Sequence, residues 1–315
     1  MKNDNTRTSR TPHPLPATAK RRPALTRNAI GSVSILLYFL NTAVMFPFFP
    51  VIGLLKLIPV ARWRALCGLV LDRMATLWIS INNLNLKITK RIHWDVAGLE
   101  GLNPREWYLV IANHRSWADI LILQKVFNRR IPFLKFFLKK ELIWVPLMGI
   151  AWWALDFPFM KRYSGEFLKK FPHLKGKDIE ITQKACEKFR HIPVSIMNFV
   201  EGTRFTHEKH RRQNSPFTNL LRPKAGGMAF VLSAMGGEQM KKILNVSICY
   251  PDGIRSFWDF LCGEISRVRV HIEELHITAE HRGDYLNNER FREEFQEWVN
   301  RLWKEKDLRL SAMSL

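Results

Sequence analysis

The sequence predicts a single cytosol-facing α/β domain with an N-terminal membrane-anchoring helical hairpin. Three observations carry this. An uncharged stretch runs from Asn28 to Leu55; short apolar strand-like runs then alternate with longer helical segments; and 49 Lys and Arg against 28 Asp and Glu leave a net charge of +21. With 315 residues, 47% hydrophobic and 24% charged, the chain has enough apolar material for one large or two modest domains and is no disordered polycation. The charge excess implies an anionic partner: nucleic acid, an acidic protein, phosphorylated small molecules or an anionic membrane face.

Within the uncharged stretch, Ala29 to Phe46 gives 18 residues that can span a bilayer's apolar core as a helix. Pro47 and Pro50 are expected to interrupt it, making Val51 to Val60 a second short helix or a re-entrant return. Arg7, Arg10, Lys20, Arg21, Arg22 and Arg27 precede the stretch, and Lys56, Arg62 and Arg64 follow it. With both flanks basic, the hairpin need not carry the chain across. The long basic lead and the lack of a small-residue cleavage site argue against a removed signal peptide. Next, Trp63, Leu66, Val70, Met74, Leu77 and Trp78 recur every three to four residues, an amphipathic helix suited to the membrane interface or to covering the core. The expected organisation is a basic tail over 1–27, a hairpin and amphipathic helix over 28–80, and an α/β domain over 81–315 with its motif core at 107–255.

Beyond the Asn-rich Ile81 to Leu86, strands are predicted at Trp107 to Ala112, Val194 to Val200, Ile243 to Tyr250 and Val268 to Ile272. Helices are predicted at Trp117 to Phe127, Asp178 to Phe189, Lys224 to Ala234 and Asn287 to Trp303. Cys67, Cys186, Cys249 and Cys262 form no CxxC pair and have no His at zinc-ligand spacing, which points to reduced thiols and no metal. Nucleic acid is disfavoured as a partner, because no zinc-finger spacing, RNP-type strand or basic recognition helix is present.

The chemistry is expected where strands end. The run Trp107 to Ala112 leads into Asn113, His114, Arg115, Ser116, Trp117, Ala118 and Asp119. Ser116 is the expected helix N-cap, with Asp119 in the first turn pointing back toward His114. A carboxylate there can hold one imidazole nitrogen and leave the other basic, or it can simply complement the helix dipole beside a surface histidine. The second strand end carries Glu201, Gly202, Thr203 and Arg204: a glycine that permits close approach, a hydroxyl, and a guanidinium fork suited to phosphate. Pro223, Lys224, Ala225, Gly226 and Gly227 open a helix, where either an anion or plain capping fits.

Together these blocks resemble the glycerolipid (lysophospholipid) acyltransferase family, which includes the PlsC-type 1-acylglycerol-3-phosphate acyltransferases. NHRSWAD resembles the family's NHxSxxD block, Gly149 to Arg162 its apolar second block ending in a basic residue, FVEGTR its FPEGTR block, and Leu220 to Gly227 the lysine-glycine segment that follows. Tyr250 and Pro251 resemble the fourth block, and Val200 stands where proline is usual. Chain length and the KAGG run are similar to bacterial inner-membrane members and to the lysocardiolipin and lysophosphatidylinositol acyltransferase branch.

The resemblance implies an O-acyltransferase that moves a fatty acyl group from acyl-CoA or acyl carrier protein to the free hydroxyl of a lysophospholipid, with phosphatidic acid as the expected product. It implies no cofactor and no metal, a place at the cell inner membrane facing the cytoplasm, and anionic membrane lipid as a partner. His114 and Asp119 become the implied catalytic pair. Glu201, Gly202, Thr203, Arg204, Arg162 (or Lys161) and Lys224 become the implied substrate-binding residues. The aromatic Trp144, Trp152, Trp153 and Phe157 suit either an acyl tunnel or ordinary core.

Overall fold

The computed structural model describes residues 23–160, 189, 192–237, 239–253 and 256–315. The tail basic residues Arg7 to Arg22, Lys161, Arg162, Cys186 and nearly all of the helix predicted at Asp178 to Phe189 lie outside the described residues.

Three helices come first: α1 (Ala24–Met45), α2 (Phe48–Leu55) and α3 (Ala61–Thr89). Pro50 does not break α2 as expected, because it sits in the first turn behind the N-cap Pro47, where a missing N–H costs no helical hydrogen bond. The expected domain boundary at 80/81 falls inside α3. The asparagines that suggested a break instead face α1 (Asn41 Nδ2 donates to Asn82 Oδ1 at 2.7 Å and to the Trp78 carbonyl at 2.9 Å). Asn85 Nδ2 reaches the Ser34 carbonyl at 3.0 Å, and Lys90 Nζ the Ser34 hydroxyl at 2.7 Å. Contacts rising along α1 while falling along α3 make the pair antiparallel, stitched by polar side chains in the manner of helices in lipid. The α1–α2 segment and α3, with mean hydropathies of 1.9 and 1.2, are each long and apolar enough to cross a membrane.

The remaining strands are β1 (His93–Ala97), β2 (Trp107–Ala112), β3 (Leu134–Phe136), β4 (Leu138–Lys139), β5 (Phe159–Met160), β6 (Ser195–Phe199), β7 (Met240–Cys249) and β8 (Arg267–His276). The helices between and after them are α4 (Ala118–Phe127), α5 (Met148–Ala154), α6 (His207–Arg212), α7 (Gly226–Met235), α8 (Phe257–Leu261) and α9 (Glu289–Met313). A six-stranded sheet runs β1-β8-β7-β2-β6-β3. Its pairs are parallel except β7 with β8, so the α/β expectation holds, with a mixed sheet. β2 lies at the centre and is buried on both faces, which explains its unbroken apolar run.

The sheet separates two cores. Leu109, Ile111 and Ile196 pack against α7 and α9, while Tyr108, Val110 and Leu244 pack against Ile122, Leu123 and Phe127 of α4. A third cluster joins Phe49 of α2 and Leu71 and Ala75 of α3 to Ala151 and Ala154 of α5. Because β2 and β6 are adjacent and parallel, with Ala112 opposite Phe199, their C-terminal turns emerge side by side.

Candidate active site

The turn after β2 is held by Asp119. Trp117, not Ser116, occupies the N-cap position of α4, and it makes no side-chain cap. Asp119 supplies the missing acceptor: its Oδ2 takes the backbone N–H groups of Arg115 (2.6 Å) and Ser116 (2.9 Å) and lies 2.8 Å from His114 Nδ1. Its Oδ1 accepts the hydroxyl of Tyr250 at 2.5 Å, so this fully buried carboxylate has partners on both oxygens. Burial, together with the adjacent Asp119 charge, pushes the Tyr250 phenol well above its ordinary value and keeps it a donor. Asn113 clamps the base of the turn to β7, donating to the Ile248 carbonyl (3.0 Å) and accepting from its N–H (2.9 Å). The imidazole stacks on Phe199 at 3.9 Å between ring centroids.

The turn after β6 brings the second block alongside. Glu201 points inward: its Oε1 accepts the backbone N–H of His114 and its Oε2 that of Leu221, both at 3.0 Å. Burial pushes its carboxyl up to about 7, against the pull of those two N–H groups and of Lys306. Gly202 takes φ +68°, the left-handed region that favours glycine, and the Lys224 ammonium lies over the position a Cβ would fill, 3.7 Å away. Thr203 accepts from Lys209 Nζ at 2.7 Å, and that ammonium also reaches the Arg204 carbonyl at 3.1 Å. The Arg204 guanidinium lies 4.8 Å above the Trp117 ring. Among the described residues no carboxylate pairs with Arg204, Lys209 or Lys224. The expected helix after Pro223 begins only at Gly226, with Ala225 as its N-cap.

Beside these turns lies an apolar cavity of about 370 Å³, with His114, Trp117 and Phe199 on one wall and Met45, Phe46 and Phe49 of the hairpin with Trp78 of α3 on another. Its volume is in the range usual for small-molecule sites. Trp152 and Phe157 line it, whereas Trp144 is 85% exposed, so the aromatic second block divides between the cavity and the surface.

Sequence reasoning missed Tyr250 as the partner of Asp119, Lys209 as a neighbour of Arg204, and Lys306. Lys306 is fully buried under the sheet, donates to the Val246 carbonyl at 2.6 Å, and is pulled down to about 7 by burial. Only Tyr250 carried a signal, in its place beside Pro251 at a strand end.

A sheet with this dyad at one strand end and EGTR at the next agrees with the match of residues 93–250 to the Acyltransferase family model, and the chain belongs to that family. It is similar to lysocardiolipin acyltransferase 1 of Gallus gallus, with 24% identity over 76% of this chain and 62% of that protein. It is also similar to 1-acyl-sn-glycerol-3-phosphate acyltransferase 3 of Arabidopsis thaliana, with 31% identity over 42% of this chain and 31% of that one. The chain thus spans about three fifths of the length of the lysocardiolipin acyltransferases it matches (62% and 63%). The fold is that of the crystal structure of the 1-acyl-sn-glycerophosphate acyltransferase PlsC from Thermotoga maritima, at a TM-score of 0.51, 17% identity, and coverage of 91% of this chain and 98% of that one.

Proposed function

We propose that this protein is a membrane-bound O-acyltransferase that transfers a fatty acyl group from acyl-CoA or acyl carrier protein to the free hydroxyl of a lysophospholipid, 1-acylglycerol-3-phosphate being the acceptor and phosphatidic acid the product. The observation that carries this reading is the His114–Asp119 pair at the wall of an apolar cavity, with the Arg204 guanidinium on the neighbouring turn over the Trp117 ring.

A thioester is already activated, since its leaving thiolate belongs to an acid of pKa about 8.5. The alcohol is the weak partner and needs a base. Asp119 holds Nδ1 of His114, so Nε2 takes the hydroxyl proton as the oxygen attacks the thioester carbon. The C–S bond then breaks, and the proton passes to the departing thiolate to give the thiol. Asp119 and Tyr250 fix the tautomer and stay in place. Arg204 and Lys224 hold the acceptor phosphate beside Gly202 and Thr203, with Arg162 in the same role. Glu201 acts from beneath, positioning the His114 backbone. The cavity takes an acyl chain, and its hairpin wall opens the site toward lipid.

The basic residues on both sides of the hairpin support a cytoplasmic catalytic face at a bacterial-type inner membrane. A second acceptor, a lysophospholipid of the lysocardiolipin kind, is favoured by the longer match to lysocardiolipin acyltransferase 1. Incubating the purified protein with a panel of lysophospholipids and both thioester donors, then weighing the products, tests all of this. Acylated product from lysophosphatidic acid is expected, whereas thiol release without any acylated lipid would overturn the reading.

A further inference from the structure

From Leu142 to Leu155 the chain has fourteen residues without a charged side chain, between Glu141 and Asp156. They form the end of a short 3-10 helix (Lys140–Trp144), a turn and α5. The turn is tight enough to force Leu147 to φ +64°, unusual for a side-chain-bearing residue. α5 is apolar on both sides. Met148, Ala151 and Trp152 face the cavity beside His114. Ile150 and Trp153, with Trp144 ahead of them, face outward at 45%, 38% and 85% exposure. A helix that is apolar all round belongs in an apolar medium on both sides. Here the cavity supplies one side, and among the described residues nothing covers the other.

The outward face continues a surface that is already apolar. In α2, Phe48, Val51 and Leu54 are 55–61% exposed. The two helices are in direct contact at Gly53, where an added Cβ would stand 2.9 Å from both Trp153 and Ala154. Lys56 and Asp156 pair at their polar ends, which fixes the two exposed apolar faces on one side. Exposed Lys140 and Glu141 stand just before the run, where a headgroup layer would meet it.

We infer that the segment Leu142 to Trp153 is a second bilayer-contacting element, immersed in lipid acyl chains beside α2, and that α5 is a one-helix wall between the bilayer and the cavity. The occupant of the exposed face is therefore phospholipid, neither a second copy of the chain nor another protein. The inference rests on the hairpin's being in the membrane, and the test separates the two.

The photoreactive residue p-benzoylphenylalanine is placed singly at Trp144, Ile150, Phe48 and Arg301 in the full chain. Each variant is reconstituted in phosphatidylethanolamine and phosphatidylglycerol vesicles, irradiated, and its adducts identified by mass. Phe48 reports the hairpin, and Arg301, exposed on α9, reports the aqueous face. Phospholipid adducts are expected at Trp144 and Ile150 in yields comparable with Phe48 and at least about tenfold above Arg301, as for groups buried at a lipid interface. Adducts at Phe48 alone, or protein–protein adducts at Trp144, overturn the second element while keeping the hairpin. No lipid adducts at any position overturn both.

Discussion

The backbone N–H of His114 donates to Glu201 Oε1 at 3.0 Å, so the candidate base is fixed from behind by the first residue of the neighbouring strand's turn. The other oxygen of the same carboxylate takes the Leu221 N–H, which ties three separate sequence blocks to one buried group. Two donors aimed at one carboxylate match its ionised form, while burial opposes that form. Lys306, buried nearby, partly offsets the cost.

The pH consequence has a definite sign. In the unfolded chain this carboxyl releases its proton near 4.5, whereas the folded chain holds it to about 7. Glu201 therefore contributes stability that is fully present below about 4.5 and is lost as pH rises through about 7. Glu201→Gln does not titrate and should lack this slope. It also turns an amide NH2 toward a backbone N–H, costing roughly 1–3 kcal/mol. Denaturant midpoints at pH 5 and pH 8 should show the wild type losing more stability than the variant over that interval. Parallel pH profiles for the two proteins would refute the assignment.

His114→Ala removes the proposed base. Because general bases contribute about 10² to 10⁴ in rate, acyl transfer should fall by at least that order while membrane insertion is unchanged. Thiol release from acyl-CoA in the presence of acceptor is the direct measurement. A loss below about tenfold would place the base elsewhere.

Tyr250→Phe deletes the hydrogen bond to Asp119 Oδ1 and keeps the ring packing. The three contacts on Oδ2 remain, so the dyad should survive in a looser form. A kcat loss of about tenfold, or ~1.4 kcal/mol, is expected with little change in KM for either substrate. Wild-type kcat would show that Tyr250 merely packs.

Much of this was legible in the sequence, because local chemistry fixed it. The apolar run of Trp107 to Ala112 reads as a buried strand, and a His and an Asp five apart across a strand-to-helix turn can meet. Other features depend on partners far along the chain. His93 to Ala97 mixes polar and apolar residues and becomes a strand only through pairing with β8. Asn82 and Asn85 look like a break until α1 supplies their partners. The sequence predicts a last helix that ends at Trp303. Yet α9 continues to Met313, because Lys306 reaches the Val246 carbonyl and Asp307 accepts the N–H groups of Thr218 (2.8 Å) and Asn219 (2.7 Å). Glu201 was legible as a residue of the site but not as one that faces inward, since orientation at a strand end is set by which donors lie behind it.

Lys209 offers the sharpest test of how the acceptor's phosphate is held. Its ammonium bonds to Thr203 Oγ1 and to the Arg204 carbonyl, so it both shapes the turn and adds charge beside it. Removing it should weaken a phosphate contact without touching the proton transfer at His114. Lys209→Ala should therefore raise the KM for lysophosphatidic acid several-fold, by roughly 1 kcal/mol as for one partly exposed charge-assisted contact, with kcat and the donor KM little changed. Lys209→Arg should recover part of the loss, because it restores the charge in a different shape. Arg204→Ala should act in the same direction and more strongly, since a guanidinium fork can engage two phosphate oxygens at once. If the lysine variant instead lowers kcat with acceptor KM intact, Lys209 serves the geometry of the turn alone, and the phosphate rests on Arg204 and Lys224.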